Sequence, residues 1–192
     1  MATQTSTTTL NGVNVDQLVE TINLIKEQPD LAKFSFKARN EWVDGAHSRT
    51  TIHRFHGAGQ EHRAESKPFV MEGDEPHILL GEDQAPNAVE AVLHALASCI
   101  GVGFIYNAAA QNIKVDKLEM NLEGDVDLHG FLGLSDTRRP GYSNIRLTYK
   151  VKADATEEKL KELCSYVQKT SPVLDIIKNP VPVSFIMEKK EE

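Results

Sequence analysis

The chain has 192 residues and a formal net charge of −7, a balance that speaks against a general affinity for nucleic acid or an acidic membrane surface, since both require a basic face. Hydrophobic residues at 40% and charged residues at 26% are ordinary for a folded domain with a sizeable core. Two cysteines do not make a disulfide framework, and no HExxH or CxxC spacing points to a metal; free thiols fit the cytoplasm.

In chain order, residues 1–10 are mostly Thr, Ser and Gln and read as a disordered tail without the apolar core of a signal peptide. Residues 11–30 hold an amphipathic helix over Val15–Glu27, where Leu18, Val19, Ile22, Leu24 and Ile25 recur near helical spacing. The main domain is expected over 31–192. It opens on a strand from Leu31 to Val43, with Phe34, Phe36, Ala38 and Trp42 on alternate positions. Asp44-Gly45 signals a hairpin, and the return strand runs from His47 to His56. Lys67–Met71 and His77–Leu80 read as one bent strand.

A long helix is predicted over Ala88–Ala110. From Ala91 to Gln111 it carries no formal charge, a length that approaches a membrane span. Its Ala, Gly, Ser and Asn content, its His94 and the absence of flanking basic residues favour a buried central helix instead. Strands follow at Val115–Asp127 and Asn144–Lys152, separated by a Gly/Pro-punctuated loop over 129–142. A charged helix spans Thr156–Lys169, and Ser171-Pro172 opens a short second helix with serine as N-cap and proline at the first position. Val181–Met187 reads as a closing strand. This order gives an α+β fold, a mostly antiparallel sheet packed on a long central helix. The helix is apolar nearly all round, so one sheet leaves part of it uncovered. A second copy of the chain is a natural cover.

Cys99 sits in the middle of that helix, one turn from Ala95, Leu96, Val102 and Gly103. These small neighbours allow either very close packing or a small apolar ligand. A buried lone cysteine is ordinarily an inert hydrophobe. A reactive one needs a stabilised thiolate, and mid-helix placement gives no help from the dipole. Candidate cations are Arg49, Arg54, Arg63, His77 and the Arg138-Arg139 pair. His94, five before Cys99, lies well round the helix from it and reads as a core histidine. The apolar loop Gly130–Leu134 beside Arg138-Arg139 is either a lid over the cysteine or a connection tucked onto the core.

The segment Gly81-Glu82-Asp83-Gln84-Ala85-Pro86-Asn87-Ala88-Val89-Glu90-Ala91-Val92-Leu93-His94-Ala95-Leu96-Ala97-Ser98-Cys99 resembles the signature of the OsmC/Ohr superfamily. There a turn containing Pro and Glu opens a long helix that carries a cysteine. Ser171-Pro172-Val173 and Asn179-Pro180-Val181-Pro182-Val183 are similar to the family's second site and closing strand. The resemblance implies an intertwined homodimer with two interface sites, no cofactor, and a role in oxidative-stress defence through reduction of organic hydroperoxides. The helix cysteine would attack the peroxide as thiolate and become a sulfenic acid. A second cysteine would then form a disulfide, reduced by an external dithiol.

Three positions depart from that pattern. Ser171 stands where the family has cysteine, and serine forms no disulfide. Glu90 lies nine residues before Cys99, one place off the expected supporting carboxylate, and about 180° round a straight helix. It would reach a cysteine only across a dimer or from a bent first turn; otherwise it simply favours the helix N-terminus. The supporting arginine has no counterpart where His77 and Ile78 fall. Cys164, seven residues before Ser171, is either a redox partner or an ordinary half-buried helix residue. The expected catalytic set is therefore Cys99, Glu90 and Cys164. The alternative is a non-catalytic homodimer that binds a small apolar or thiol-reactive ligand at its interface.

Overall fold

The computed structural model describes residues 8–189. Two short strands, β1 (Thr9–Leu10) and β2 (Val13–Asn14), lead into helix α1 (Val15–Glu27). Asn14 caps α1 by accepting the Gln17 N–H. The Asn11 side chain joins this segment to the main body: it donates to the Ile113 carbonyl at 2.8 Å and accepts the Val115 N–H at 2.9 Å. A 3-10 turn (Pro29–Ala32) precedes the long hairpin of β3 (Phe34–Asp44) and β4 (His47–Gly57). Gly45 supplies the left-handed φ of +51° at its tip, where Trp42 Nε1 donates to the Gly45 carbonyl. Strands β5 (Gln60–His62) and β6 (Phe69–Gly73) both pair antiparallel with β4.

The core belongs to the second half of the chain. Helix α2 (Ala88–Ala110) presents Leu96, Ile100, Phe104 and Ala108 at four-residue spacing, all buried. One side of α2 rests on the antiparallel ladder of β7 (Val115–Asp125) and β8 (Asn144–Ala153), whose alternating inward residues include Leu118, Met120, Ile145 and Leu147. Helices α4 (Glu157–Thr170) and α5 (Pro172–Lys178) close the other side through Leu163, Val167 and Leu174. A helical turn, α3 (Leu128–Phe131), lies between β7 and β8. Full burial of a side chain such as Phe104 or Leu163 contributes roughly 1.5–3 kcal/mol relative to exposure.

The sheet of β3 to β6 adds nothing to this core. Every residue of β3 is exposed, and Phe36 and Trp42 keep 70% and 72% of their surface open. The chain's accessible area is 14996 Å². A folded monomer of 21.3 kDa is expected to expose only about 9100 Å².

Several expectations change. The pieces at 67–71 and 77–80 are not one bent strand: β6 ends at Gly73, and His77–Leu79 is a 3-10 turn, because buried Asp74 gathers the following loop onto its carboxylate. Val181–Met187 has no regular secondary structure and pairs with no strand among the described residues, and Phe185 is 92% exposed. Among the described residues the antiparallel strands form three separate sheets within one chain. The loop over 129–142 begins inside a helical turn. Of the tail expected over 1–10, residues 1–7 lie outside the described residues, and Thr9–Leu10 is paired. By length and composition α2 suffices to cross a membrane; here it packs on β7, α4 and α5.

Candidate functional site

Helix α2 starts with a full capping box. The Asn87 carboxamide oxygen accepts the Glu90 N–H, and the Glu90 carboxylate accepts the Asn87 N–H, each at 2.9 Å. Glu90 is thereby committed to the helix N-terminus, roughly 13 Å along the axis from Cys99. Within one chain Glu90 takes the helix-terminus role, and the route to Cys99 from a bent first turn is not among its hydrogen bonds.

Cys99 is half-buried. Leu96 and Ile100 on its flank face the core, while Val92, Val102 and Tyr106 remain open to solvent. The small residues have a packing role: a Cβ on Gly103 would lie 3.2 Å from Val167 Cγ1, so α4 approaches α2 at close range. That approach delivers the junction of α4 and α5 to the cysteine. Proline at position 172 suits the first position of α5 but cannot continue α4. Ser171 caps α5 by accepting the Leu174 N–H at 3.2 Å. The same oxygen lies 3.1 Å from Cys99 Sγ, and Ser171 is only 5% exposed. With one lone pair engaged by Leu174, the hydroxyl proton is free to donate to a Cys99 thiolate; toward a neutral thiol the oxygen can accept instead.

Cys164 occupies a different place. It lies two turns before Ser171 on α4, roughly 10 Å back along the axis, and packs against the core. A direct bridge to Cys99 needs Cα atoms about 4.4–6.8 Å apart. Both thiols are free. Burial pushes the Cys164 thiol up from its ordinary value.

The candidate cations are scattered. Arg49 pairs with Glu72 at 2.8 Å. Arg63 lies over the rings of Phe55 and Phe69. His77 bonds the Gly81 carbonyl, and Arg138 pairs with Asp127. Among the described residues no Lys, Arg or His hydrogen-bonds to Cys99 or Ser171. His94 is exposed rather than in the core. The described residues contain no group of three or more His, Cys, Asp or Glu side chains able to hold a metal.

Residues 81–185, more than half the chain, match the family described as OsmC-like protein. The chain belongs to the OsmC-like family. Solved structures share the fold. A Psychrobacter arcticus protein described as an osmotic stress induced and detoxification response protein aligns with a TM-score of 0.55 at 14% identity, over 74% of this chain and 88% of its own. An OsmC-like protein from Mycoplasma pneumoniae aligns with a TM-score of 0.53 at 18% identity, over 77% and 89%. A Legionella pneumophila protein described as an organic hydroperoxide resistance protein OsmC aligns with a TM-score of 0.50 at 14% identity, over 75% and 89%. No curated protein sequence matches this OsmC-like chain.

The OsmC-like chain carries one further signal in its sequence and two contacts that depend on tertiary structure. Asn87 followed three residues later by Glu90 is a capping-box spacing, so the role of that carboxylate was legible. Asp74, buried at 3% exposure, accepts the backbone N–H groups of Glu75, Gln84 and Glu82 at 2.8, 3.1 and 3.2 Å. No local pattern announces that loop. A third feature, the contact of Tyr142 Oη with the Val89 carbonyl at 2.7 Å, depends on Gly124. A Cβ there would sit 2.3 Å from the Tyr142 ring.

Proposed function

We propose that this OsmC-like protein acts in oxidative-stress defence as a homodimeric, one-cysteine reductase of small organic hydroperoxides. The observation that carries this reading is the 3.1 Å contact between Cys99 Sγ and the buried Ser171 hydroxyl. It joins the family's helix cysteine to the position of the family's second cysteine. The Cys99 thiolate attacks the terminal peroxide oxygen. The S–O bond forms as the O–O bond breaks, and the alkoxide takes a proton to leave as the alcohol. The Ser171 hydroxyl donates first to the thiolate and then to the sulfenic acid. Ser171 has no thiol to condense with that product, so an external dithiol resolves it. One of its thiols forms a mixed disulfide with release of water, and the other displaces the Cys99 thiolate.

What the single chain leaves open supports the dimer. The aromatic face of β3–β6, the open flank of α2 and the unpaired segment 181–187 together call for a cover, and the accessible area exceeds that of an ordinary monomer by more than half. Free thiols fit a reducing cytoplasm.

The decisive measurement is stopped-flow consumption of cumene hydroperoxide by the reduced full-length protein. Turnover with a dithiol, abolished in Cys99→Ser, supports the enzyme. Consumption equal to that of Cys99→Ser overturns it. One observation favours a second reading, ligand binding without turnover: the described residues supply neither a cation nor a second thiol in hydrogen-bond contact with Cys99. Mass spectrometry after mild peroxide separates the two, because only the enzyme predicts selective sulfenylation of Cys99.

A further inference from the structure

A cavity of about 520 Å³ opens between α2, α5 and β8, lined on α2 by Val92, Leu96 and Ile100. Neither Cys99 nor Ser171 lines it. The volume is within the range of small-molecule sites, roughly 300–1000 Å³. Three features of its lining go together. The wall is apolar, built by Val92, Leu96, Ile100, Leu147, Leu174 and Ile177. Two cations, Arg139 and Lys178, also line it, and among the described residues neither makes an ion pair or a side-chain hydrogen bond. This contrasts with neighbouring Arg138, which is paired with Asp127.

The third feature is Tyr149. Its hydroxyl is shielded from solvent and has no hydrogen-bond partner; Gln168 stands nearby without meeting bonding geometry. Buried polar groups are nearly always paired, so an unpaired one calls for an explanation. Burial pushes this phenol up to about 12, so near neutral pH it keeps its proton and is a donor. An apolar wall, two uncommitted cations and an unused donor are complementary to a ligand with an apolar body and one anionic oxygen-bearing head. Tyr142, also in the lining, is already committed to the Val89 carbonyl and does not compete for that head.

We propose that this cavity is a second binding site, independent of Cys99, for a small apolar monocarboxylate such as a medium-chain fatty acid. The carboxylate is held by Arg139 and Lys178, and a shift of the Tyr149 side chain brings its shielded hydroxyl to a ligand oxygen. The site is distinct from the proposed peroxide chemistry and stands whether or not Cys99 turns over.

Titration calorimetry of the full-length protein with sodium decanoate, below its micellar concentration, tests this. Saturable binding of one decanoate per chain is expected, with decan-1-ol and decyltrimethylammonium roughly tenfold or more weaker, the scale of one charge-assisted hydrogen bond. The surface double variant Arg139→Ala/Lys178→Ala, which leaves the core untouched, should lose about tenfold or more, and Tyr149→Phe should weaken binding in the same direction. Cys99→Ser should bind as the wild type does. Absence of saturable binding overturns the proposal. So does equal affinity for decanoate and decan-1-ol, or binding indifferent to Arg139→Ala/Lys178→Ala. Loss of binding in Cys99→Ser would move the ligand to the cysteine and overturn it as well.

Discussion

Cys99 and Ser171 are separated by 72 positions in the chain, yet their Sγ and Oγ atoms lie 3.1 Å apart. The contact exists because Gly103 lets α4 close on α2 and because Pro172 ends α4 at that level. Replacing the hydroxyl with a thiol should therefore recreate a two-cysteine site. The Ser171→Cys variant is expected to form an intramolecular 99–171 disulfide after one equivalent of peroxide, read by thiol titration and peptide mass mapping. A closed loop of this size stabilises by up to about 4 kcal/mol in the chain-entropy picture. Failure to bridge under conditions that oxidise Cys99 would count against the geometry.

Removing the hydroxyl altogether has two separable effects. Ser171→Ala loses the cap on α5, a cost of about 1 kcal/mol, visible as a lower Tm. It also removes the donor to the thiolate, so iodoacetamide should alkylate Cys99 several-fold more slowly at neutral pH. Ser171→Thr should restore most of both. Alkylation unchanged in Ser171→Ala would confine the residue to capping.

Glu90 and Asn87 should behave as a pair. Either Glu90→Ala or Asn87→Ala breaks the capping box and costs about 0.5–2 kcal/mol. Because each group satisfies the other's backbone, the double variant should cost less than the sum of the singles. Thermal denaturation of the four proteins closes the cycle. Additive losses would show that the two groups act separately.

Asp74 gives the loop over 75–84 a pH signature. The backbone N–H groups of Gln84 and Glu75, with a smaller share from Glu82, hold its carboxyl below the ordinary 3.8. A lowered folded-state value means that the stabilisation is fully present above the unfolded-state value and is lost as pH falls through the folded-state one. Asp74→Asn should therefore melt below the wild type at pH 7, and the gap should narrow as the pH drops below about 3.8. A constant gap from pH 7 to pH 3 would exclude the charge as its source.

The exposed face of β3–β6 predicts assembly. The wild type should elute and scatter light as a species of twice 21.3 kDa. A Phe36→Asp/Trp42→Asp variant should be monomeric or aggregated, since two charges would be desolvated in an apolar contact. A stable monomer of wild type at micromolar concentration would require another cover for those aromatics.

The sequence by itself determined the parts that depend on local pattern. The helices over Val15–Glu27 and Ala88–Ala110, the hairpin at Asp44-Gly45 and the serine cap at 171 follow from periodicity, turn chemistry and capping preference, each set by residues within a few positions of one another. Cys99 as the feature of interest and the family itself were legible in the run from Gly81 to Cys99. Tertiary structure decided what approaches the cysteine. Ser171 arrives there through helix packing; Cys164, on the same α4 helix, is carried two turns away; and Glu90 is drawn to its own helix end. The fate of Val181–Met187 is likewise non-local: its alternation reads as a strand, but a strand needs a neighbour, and the described chain provides none. Cys99 acquires its surroundings from residues far away in sequence, brought close by small side chains on α2, and no local pattern encodes such an approach.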